Sequence, residues 1–159
     1  MADQGWTPKA GARALVAELG EDAAISCLTR LLAGEVRPLE LRAEPWPRLL
    51  AHIGRGHAAR LDLEDPALAY WPRTWAARAL AYVGDESVGP WLVRALADDH
   101  WRVRMTAVRT IGRLRIAGLE SEIAPLLEDP HRRVREAAEL ALVRTTRDTR
   151  RARPADATG

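Results

Sequence analysis

The sequence has few residues of the kinds on which disulfide and metal chemistry depend. Cys27 is its single cysteine, which excludes an internal disulfide bond, and its apolar neighbours indicate a small buried side chain. The four histidines are scattered, and neither a His-Glu-x-x-His nor a Cys-x-x-Cys spacing occurs. We therefore expect no metal site, no cofactor and no catalytic residues.

Long apolar runs are also missing. No stretch approaches the roughly 18 continuous apolar residues of a membrane span, and the N-terminus has no basic segment followed by an apolar one. The sequence therefore predicts a cytoplasmic protein that does not enter a membrane. Phenylalanine is absent, so a core has to be built mainly from Leu, Ala, Val, Ile and the six tryptophans.

The charges nearly cancel, since 24 basic and 22 acidic residues leave a net charge of +2. A total this small does not indicate a general anion-binding field. All basic residues except Lys9 are arginines. This bias either reflects the base composition of the genome or indicates bidentate phosphate contacts.

The clearest structural pattern lies in residues 98–112. Val103, Ala107 and Ile111 fall on one stripe of a helix with 3.6 residues per turn, and polar residues fill the other sides. Two aspartates, Asp98 and Asp99, come just before this stripe, where carboxylates cap a helix and favour the positive end of its dipole. The pattern predicts an amphipathic helix with one buried face.

The same pattern recurs elsewhere in the chain. A close copy occupies residues 129–142, and a weaker copy occupies 71–84, where the alignment puts Ala76 in place of an arginine. Leucine-rich segments at 87–97 and 119–128 follow two of the copies and predict second helices. A recurrence of this length indicates stacked helical hairpins.

The pattern Asp-x-x-x-Val-Arg-x-x-Ala-x-x-x-Ile-Gly, followed by a leucine-rich second helix, resembles the HEAT repeat, in particular the short bacterial variety found in phycobilisome lyases. The resemblance implies an all-α fold, an α-solenoid of stacked hairpins. We expect one domain over residues 1–146, with the clearest repeats at 71–98, 99–129 and 130–143. A basic, disordered tail is predicted over 147–159.

The resemblance also implies a ladder of side chains between successive units. In the family, an aspartate at the end of one unit pairs with the arginine that follows the valine of the next. In this chain the expected pairs are Asp98 or Asp99 with Arg104, and Asp129 with Arg135.

The resemblance implies a non-catalytic scaffold that binds another protein. Stacked hairpins expose an extended surface, which we expect the second helices to line with apolar and charged side chains. The candidate partner-binding residues are Trp91, Val93, Arg94, Glu120 and Glu122. For Trp91, a place in the core is an equal alternative.

The first alternative function is binding to the phosphate backbone of a nucleic acid. The arginines along one edge would make the contacts: Arg102, Arg109, Arg113, Arg115, Arg132, Arg133, Arg150 and Arg151. Arg55 and His57, in the glycine-containing stretch 52–57, are further candidate anion contacts. A structural turn between two helices explains that stretch equally well.

A second alternative, from repeat type alone, is a subunit of a lyase that attaches tetrapyrroles (bilins) to proteins. His100 and His131 occupy equivalent positions, because each lies at the start of a helix in the repeat.

The last unit has no convincing second helix, so we expect Leu140 and Val143 to be uncovered. This open end predicts a contact with a partner or with a second copy of the chain.

Overall fold

The computed structural model describes the backbone of residues 5–152 and the side chains of residues 5–146. Its helices are α1 (Pro8–Leu19), α2 (Glu21–Leu32), α3 (Trp46–Gly54), α4 (Tyr70–Val83), α5 (Gly89–Ala95), α6 (Trp101–Leu114), α7 (Glu120–Ile123) and α8 (Arg132–Ala152). Short 3-10 turns occupy the connections, and no strand occurs in residues 5–152. The predicted all-α fold is confirmed.

The long helices form one continuous layer. Helix α6 packs between α4 and α8, and α4 also packs against α2 and α1. The second helices are short: α5 lies against α6 and α2, whereas α7 lies against α8. The core between them is mainly aliphatic and also contains Trp46 and Trp75. The aliphatic side chains with almost no exposed surface include Leu80, Val88, Leu92, Val103, Ile111, Ile123 and Val134. Helices α4, α6 and α8 therefore provide a surface that continues across successive units.

Three helices begin at a residue whose side chain accepts a first-turn N–H group. Thr7 Oγ1 accepts the N–H of Ala10 at 3.0 Å. His100 Nδ1 accepts the N–H of Arg102 at 3.2 Å, and His131 Nδ1 does the same for Arg133 at 3.3 Å. The expectation that Asp98 and Asp99 cap α6 was wrong, because the N-cap residue of α6 is His100.

The side-chain ladder joins different partners from those predicted. The carboxylate of Asp98 is bound by Arg73 through two hydrogen bonds, of 2.7 and 3.1 Å. The carboxylate of Asp129 is bound by Arg104 in the same way, at 2.7 and 3.0 Å. Each arginine therefore pairs with the aspartate 25 residues after it in the sequence. The alignment at Ala76 was also wrong, because Arg73 holds the position equivalent to Arg104.

The predicted pairs contact each other through the backbone instead. Arg104 Nη1 donates to the carbonyl oxygens of Asp98 and Asp99 at 2.8 and 3.1 Å, and Arg135 Nη1 donates to that of Asp129 at 2.7 Å. The physical reason is the position of these arginines in the first turn of their helices. From there one guanidinium reaches the loop before its own helix and the carboxylate that precedes the next one.

Several glycines are required where helices approach closely, among them Gly54 and Gly112. A Cβ atom on Gly54, at the end of α3, would lie 2.6 Å from the Trp75 ring on α4. A Cβ atom on Gly112 would lie 3.0 Å from Ala141 Cα, so this glycine allows α6 and α8 to pack closely. The stretch 52–57 therefore contains a glycine with a packing role.

The C-terminal helix is longer than the sequence pattern indicated. Helix α8 continues to Ala152, so residues 147–152 are helical where a disordered tail was predicted. No glycine or proline interrupts the chain between Val143 and Pro154, and arginine and threonine do not stop a helix. The rest of that predicted tail, 153–159, lies outside the described residues. None of the helices in the described part of the chain has the length and apolar character needed to cross a membrane.

Candidate binding groove

Helices α4 and α6 carry positive charge only. Together they contain six arginines and neither aspartate nor glutamate. Arg73 and Arg104 are neutralised by the two aspartates of the ladder. The other four are Arg78, Arg102, Arg109 and Arg113. Within residues 5–146, none of these four forms an ion pair with a carboxylate.

The four arginines line two adjoining depressions on the layer of long helices. The first lies between α4 and α6, has a volume of about 340 Å³, and also contains Trp71 and Met105. The second lies between α6 and α8, has a volume of about 350 Å³, and also contains Leu140 and Arg144. Arg109 and Arg113 border both. We call the two depressions together the α4–α6–α8 groove.

Neutral groups hold the guanidinium groups of Arg78 and Arg113 in place. Arg78 Nη2 donates to the carbonyl oxygen of Ile53 at 3.0 Å, and Arg113 Nε donates to that of Ala81 at 2.9 Å. Arg113 also lies over the Tyr82 ring, 4.4 Å from its centroid. Burial lowers the pKa of Arg78 below its usual value. These contacts restrict the side chains without cancelling their charge.

Arg102 is the most enclosed of the four by aromatic rings. Its guanidinium lies 5.0 Å from the Trp71 ring and 4.9 Å from the Trp101 ring, and Nη1 donates to the Tyr70 hydroxyl at 2.8 Å. A cation over a ring face is attracted to the ring, but the ring carries no net charge that would neutralise it. Arg102 is therefore held in place while its positive charge can still bind an anionic ligand.

A stack of rings joins the first turns of α4, α6 and α8. Tyr70 stacks on His100 with 3.5 Å between centroids, and Trp101 stacks on His131 at 3.7 Å. Burial lowers the pKa of His100, and the nearby Arg102 adds to the effect. The neutral ring can then accept the N–H of its own helix start at Nδ1. The stack therefore lies at one end of the groove, where Tyr70 and Trp101 contact Arg102.

A model of HEAT repeats matches residues 63–143, which include α4 to α7 and most of α8. The chain belongs to the HEAT-repeat family. No curated protein matches the chain significantly. HEAT repeats generally serve as scaffolds for protein interactions and are typically non-catalytic. All groove residues named above except Arg144 lie within the matched range.

The residues predicted to bind a partner lie elsewhere in the HEAT repeats. Trp91 is half-buried between α5 and α2, and with Arg94 it borders a cleft of about 420 Å³ that also contains the Arg73–Asp98 pair. Val93 is half-buried on the same helix. The other two candidates are on α7: Glu120, which is half-buried, and Glu122, which accepts from the Ser121 hydroxyl at 2.7 Å. The five residues are thus divided between helices with different neighbours.

The predicted anion contacts are also dispersed. Arg55 follows the last residue of α3 with φ of 56°, and its guanidinium lies 5.6 Å from the centroid of the Trp6 ring. His57 is exposed on the 3-10 turn that begins at Arg55. Arg132 pairs with Glu136 at 2.7 Å, and Arg133 lies 5.8 Å from the Trp101 ring. The side chains of Arg150 and Arg151 are outside the described part.

The described residues contain no group of three His, Cys, Asp or Glu side chains that could hold a metal ion. Burial raises the pKa of the Cys27 thiol, against the opposing charge of Arg30, so this thiol is not activated as a nucleophile. His52 is bound to Glu18 at 2.6 Å, and this hydrogen bond lowers the pKa of Glu18.

Several groove residues were identified from the sequence, but they were grouped with the wrong neighbours. Arg102, Arg109 and Arg113 were placed on an edge with Arg115, Arg132 and Arg133, not with the aromatic residues of α4. The complete lack of acidic residues in residues 70–83 and 101–114 was visible in the sequence. It would have identified the groove, since a solvated helix surface usually carries both signs of charge.

Proposed function

We propose that this HEAT-repeat protein is a non-catalytic scaffold that binds a protein partner in the α4–α6–α8 groove. The observation that carries the proposal is the set of four arginines without a carboxylate partner, placed beside apolar side chains. Leu140 is 59% exposed there, and Met105 is half-buried. Aromatic residues, methionine and arginine are enriched at protein interfaces.

The surface around Trp91 supports this function less well. Helix α5 has seven residues and α7 has four, so neither offers a long binding surface. In the cleft beside Trp91, the charge of Arg73 is neutralised by Asp98. The groove has unneutralised charge and a surface that continues across three helices, which favours it as the site of a partner.

Nucleic-acid binding is the second candidate function, and the same groove favours it through Arg102, Arg109 and Arg113. The exposed apolar side chains count against it, because a phosphate backbone offers them no partner. The lyase role and the contact through the open C-terminal end stay predictions. For that contact, Leu140 and Val143 are exposed by 59% and 48%.

Site-specific photo-crosslinking tests the proposal. A photoreactive amino acid replaces Met105 in the groove in one variant and Arg94 in the Trp91 cleft in a matched variant. After irradiation with cell extract, we expect the Met105 variant to form a discrete adduct that protease digests and nuclease leaves intact. An adduct from the Arg94 position alone would show that the partner binds at the Trp91 cleft and not in the groove. An adduct that nuclease removes would favour a nucleic acid.

A further inference from the structure

We infer that the partner presents an acidic peptide segment to the α4–α6–α8 groove, with carboxylates bound by arginines of α6 and an apolar side chain beside Met105. This inference rests on the proposed function and names the chemistry of the partner.

The charge of the groove selects an anionic ligand. Of the six guanidinium groups on α4 and α6, four have no carboxylate partner in the described residues, and these helices contain no acidic residue. On α8, Glu136 is engaged by Arg132, and Glu139 is exposed. Arginine in a rigid setting binds carboxylates in a bidentate geometry, and Arg102 and Arg113 are held in place by neutral contacts.

The positions of the arginines along α6 predict the spacing of the carboxylates. A helix rises about 1.5 Å per residue, which places Arg109 roughly 10 Å and Arg113 roughly 16 Å from Arg102 along the axis. A peptide in the extended polyproline II conformation advances about 3.1 Å per residue and returns its side chains to the same side every third residue. Acidic residues that are three and six positions after a first one would therefore meet successive arginines. Met105 lies between the first two, where an apolar side chain fits.

The rings of the groove favour a peptide over a single-stranded nucleic acid. Non-specific binding of single strands depends on bases that stack on free aromatic faces. Arg102 lies over Trp71, whose ring is also stacked with Trp75 at 5.7 Å. Arg113 lies over the Tyr82 ring. Because these faces are covered by guanidinium groups, bases have to displace existing contacts, whereas carboxylates bind the guanidinium edges directly.

Titration of the protein with synthetic peptides tests this inference. The probe is a peptide of about twelve residues with Glu at positions 4, 7 and 10 and Leu at position 5. The controls are the same peptide with Gln for Glu, a peptide with the three Glu adjacent, and a single-stranded oligonucleotide of about ten nucleotides. Binding is followed by the NMR signals of the arginine Nε–H groups and backbone amides, which detect dissociation constants into the millimolar range.

We expect the spaced acidic peptide to shift signals of α4 and α6 and to bind about tenfold more tightly than either control peptide. Arg109→Glu should weaken this binding by about tenfold or more. The matched change Arg94→Glu, which alters the charge equally outside the groove, should leave it within about twofold. The thermal unfolding curve of each variant checks that it remains folded.

Two results would overturn the inference. In one, the oligonucleotide binds more tightly than the spaced peptide and is lost in the Arg109→Glu variant, which identifies a nucleic-acid groove. In the other, no groove signal moves at about 5 mM peptide. If crosslinking from Met105 still yields a protein adduct, the proposed function stands and only the acidic chemistry is wrong.

Discussion

At the scale of single residues, the ion pair between Arg104 and Asp129 joins α6 to the residues that precede α8. The side chains of Arg104 and Asp129 are 16% and 6% exposed. Burial raises the pKa of Asp129, but the hydrogen bonds from Arg104 and from the N–H of His131 outweigh it and hold that pKa below 3.8. Since the pair joins two successive units, the attraction between its charges stabilises the contact between those units.

Replacement of Asp129 by asparagine should lower the free energy of unfolding by about 2 kcal/mol at pH 7, because Arg104 loses its charged partner and keeps only carbonyl contacts. Urea unfolding at constant m-value measures the change. The control is Arg37→Ala, which removes an exposed pair with Glu40 at 2.7 Å and should change stability by less than about 0.5 kcal/mol. Equal effects would show that the buried pair has no special role.

The same carboxylate predicts a dependence of stability on pH. Its pKa is lower in the folded than in the unfolded chain, so the unfolded state binds the proton first as pH falls. The stabilisation is present above the ordinary pKa of 3.8 and is lost as pH falls through the lower folded value. We expect wild type to lose more stability than Asp129→Asn between pH 5 and pH 3 in urea unfolding. Parallel curves would contradict this assignment.

At the scale of helices, close packing depends on residues without side-chain volume. Gly112→Ala would place a methyl group 3.0 Å from the backbone of α8, which cannot yield as a flexible side chain does. We expect a loss of about 1–3 kcal/mol from overpacking, although alanine favours a helix over glycine. The matched control is Gly56→Ala, because no atom lies within 4 Å of the added Cβ there. Thermal unfolding of both variants gives the comparison.

The helices of the repeats could be predicted well from the sequence, whereas the side chains that pair between successive units could not. The apolar stripe of α6 is a local property, so Val103, Ala107 and Ile111 are all buried as expected. The ladder depends on whether a guanidinium reaches the aspartate before its own helix or the one before the next helix, and that is decided by the packing of neighbouring helices. The stacking of Tyr70 on His100 is likewise a contact between units, which a helical period does not encode.

At the scale of the whole molecule, the repeats are coupled mainly to their neighbours. Contacts run from α4 to α6 and from α6 to α8, and the ladder and the ring stack follow the same order. In such an arrangement, stability is approximately a sum of units and interfaces, so damage at one interface weakens the adjoining helices first.

This coupling predicts a localised response to the loss of one ladder arginine. In Arg104→Ala, the carboxylate of Asp129 loses two hydrogen bonds and the carbonyls of Asp98 and Asp99 lose theirs. Hydrogen exchange should therefore show faster exchange in α8 and the first turn of α6. The amides of α1 should change little, because α1 contacts neither helix closely. A uniform increase along the chain would instead mean that the solenoid unfolds as one cooperative unit, and the groove would then require every repeat for its shape.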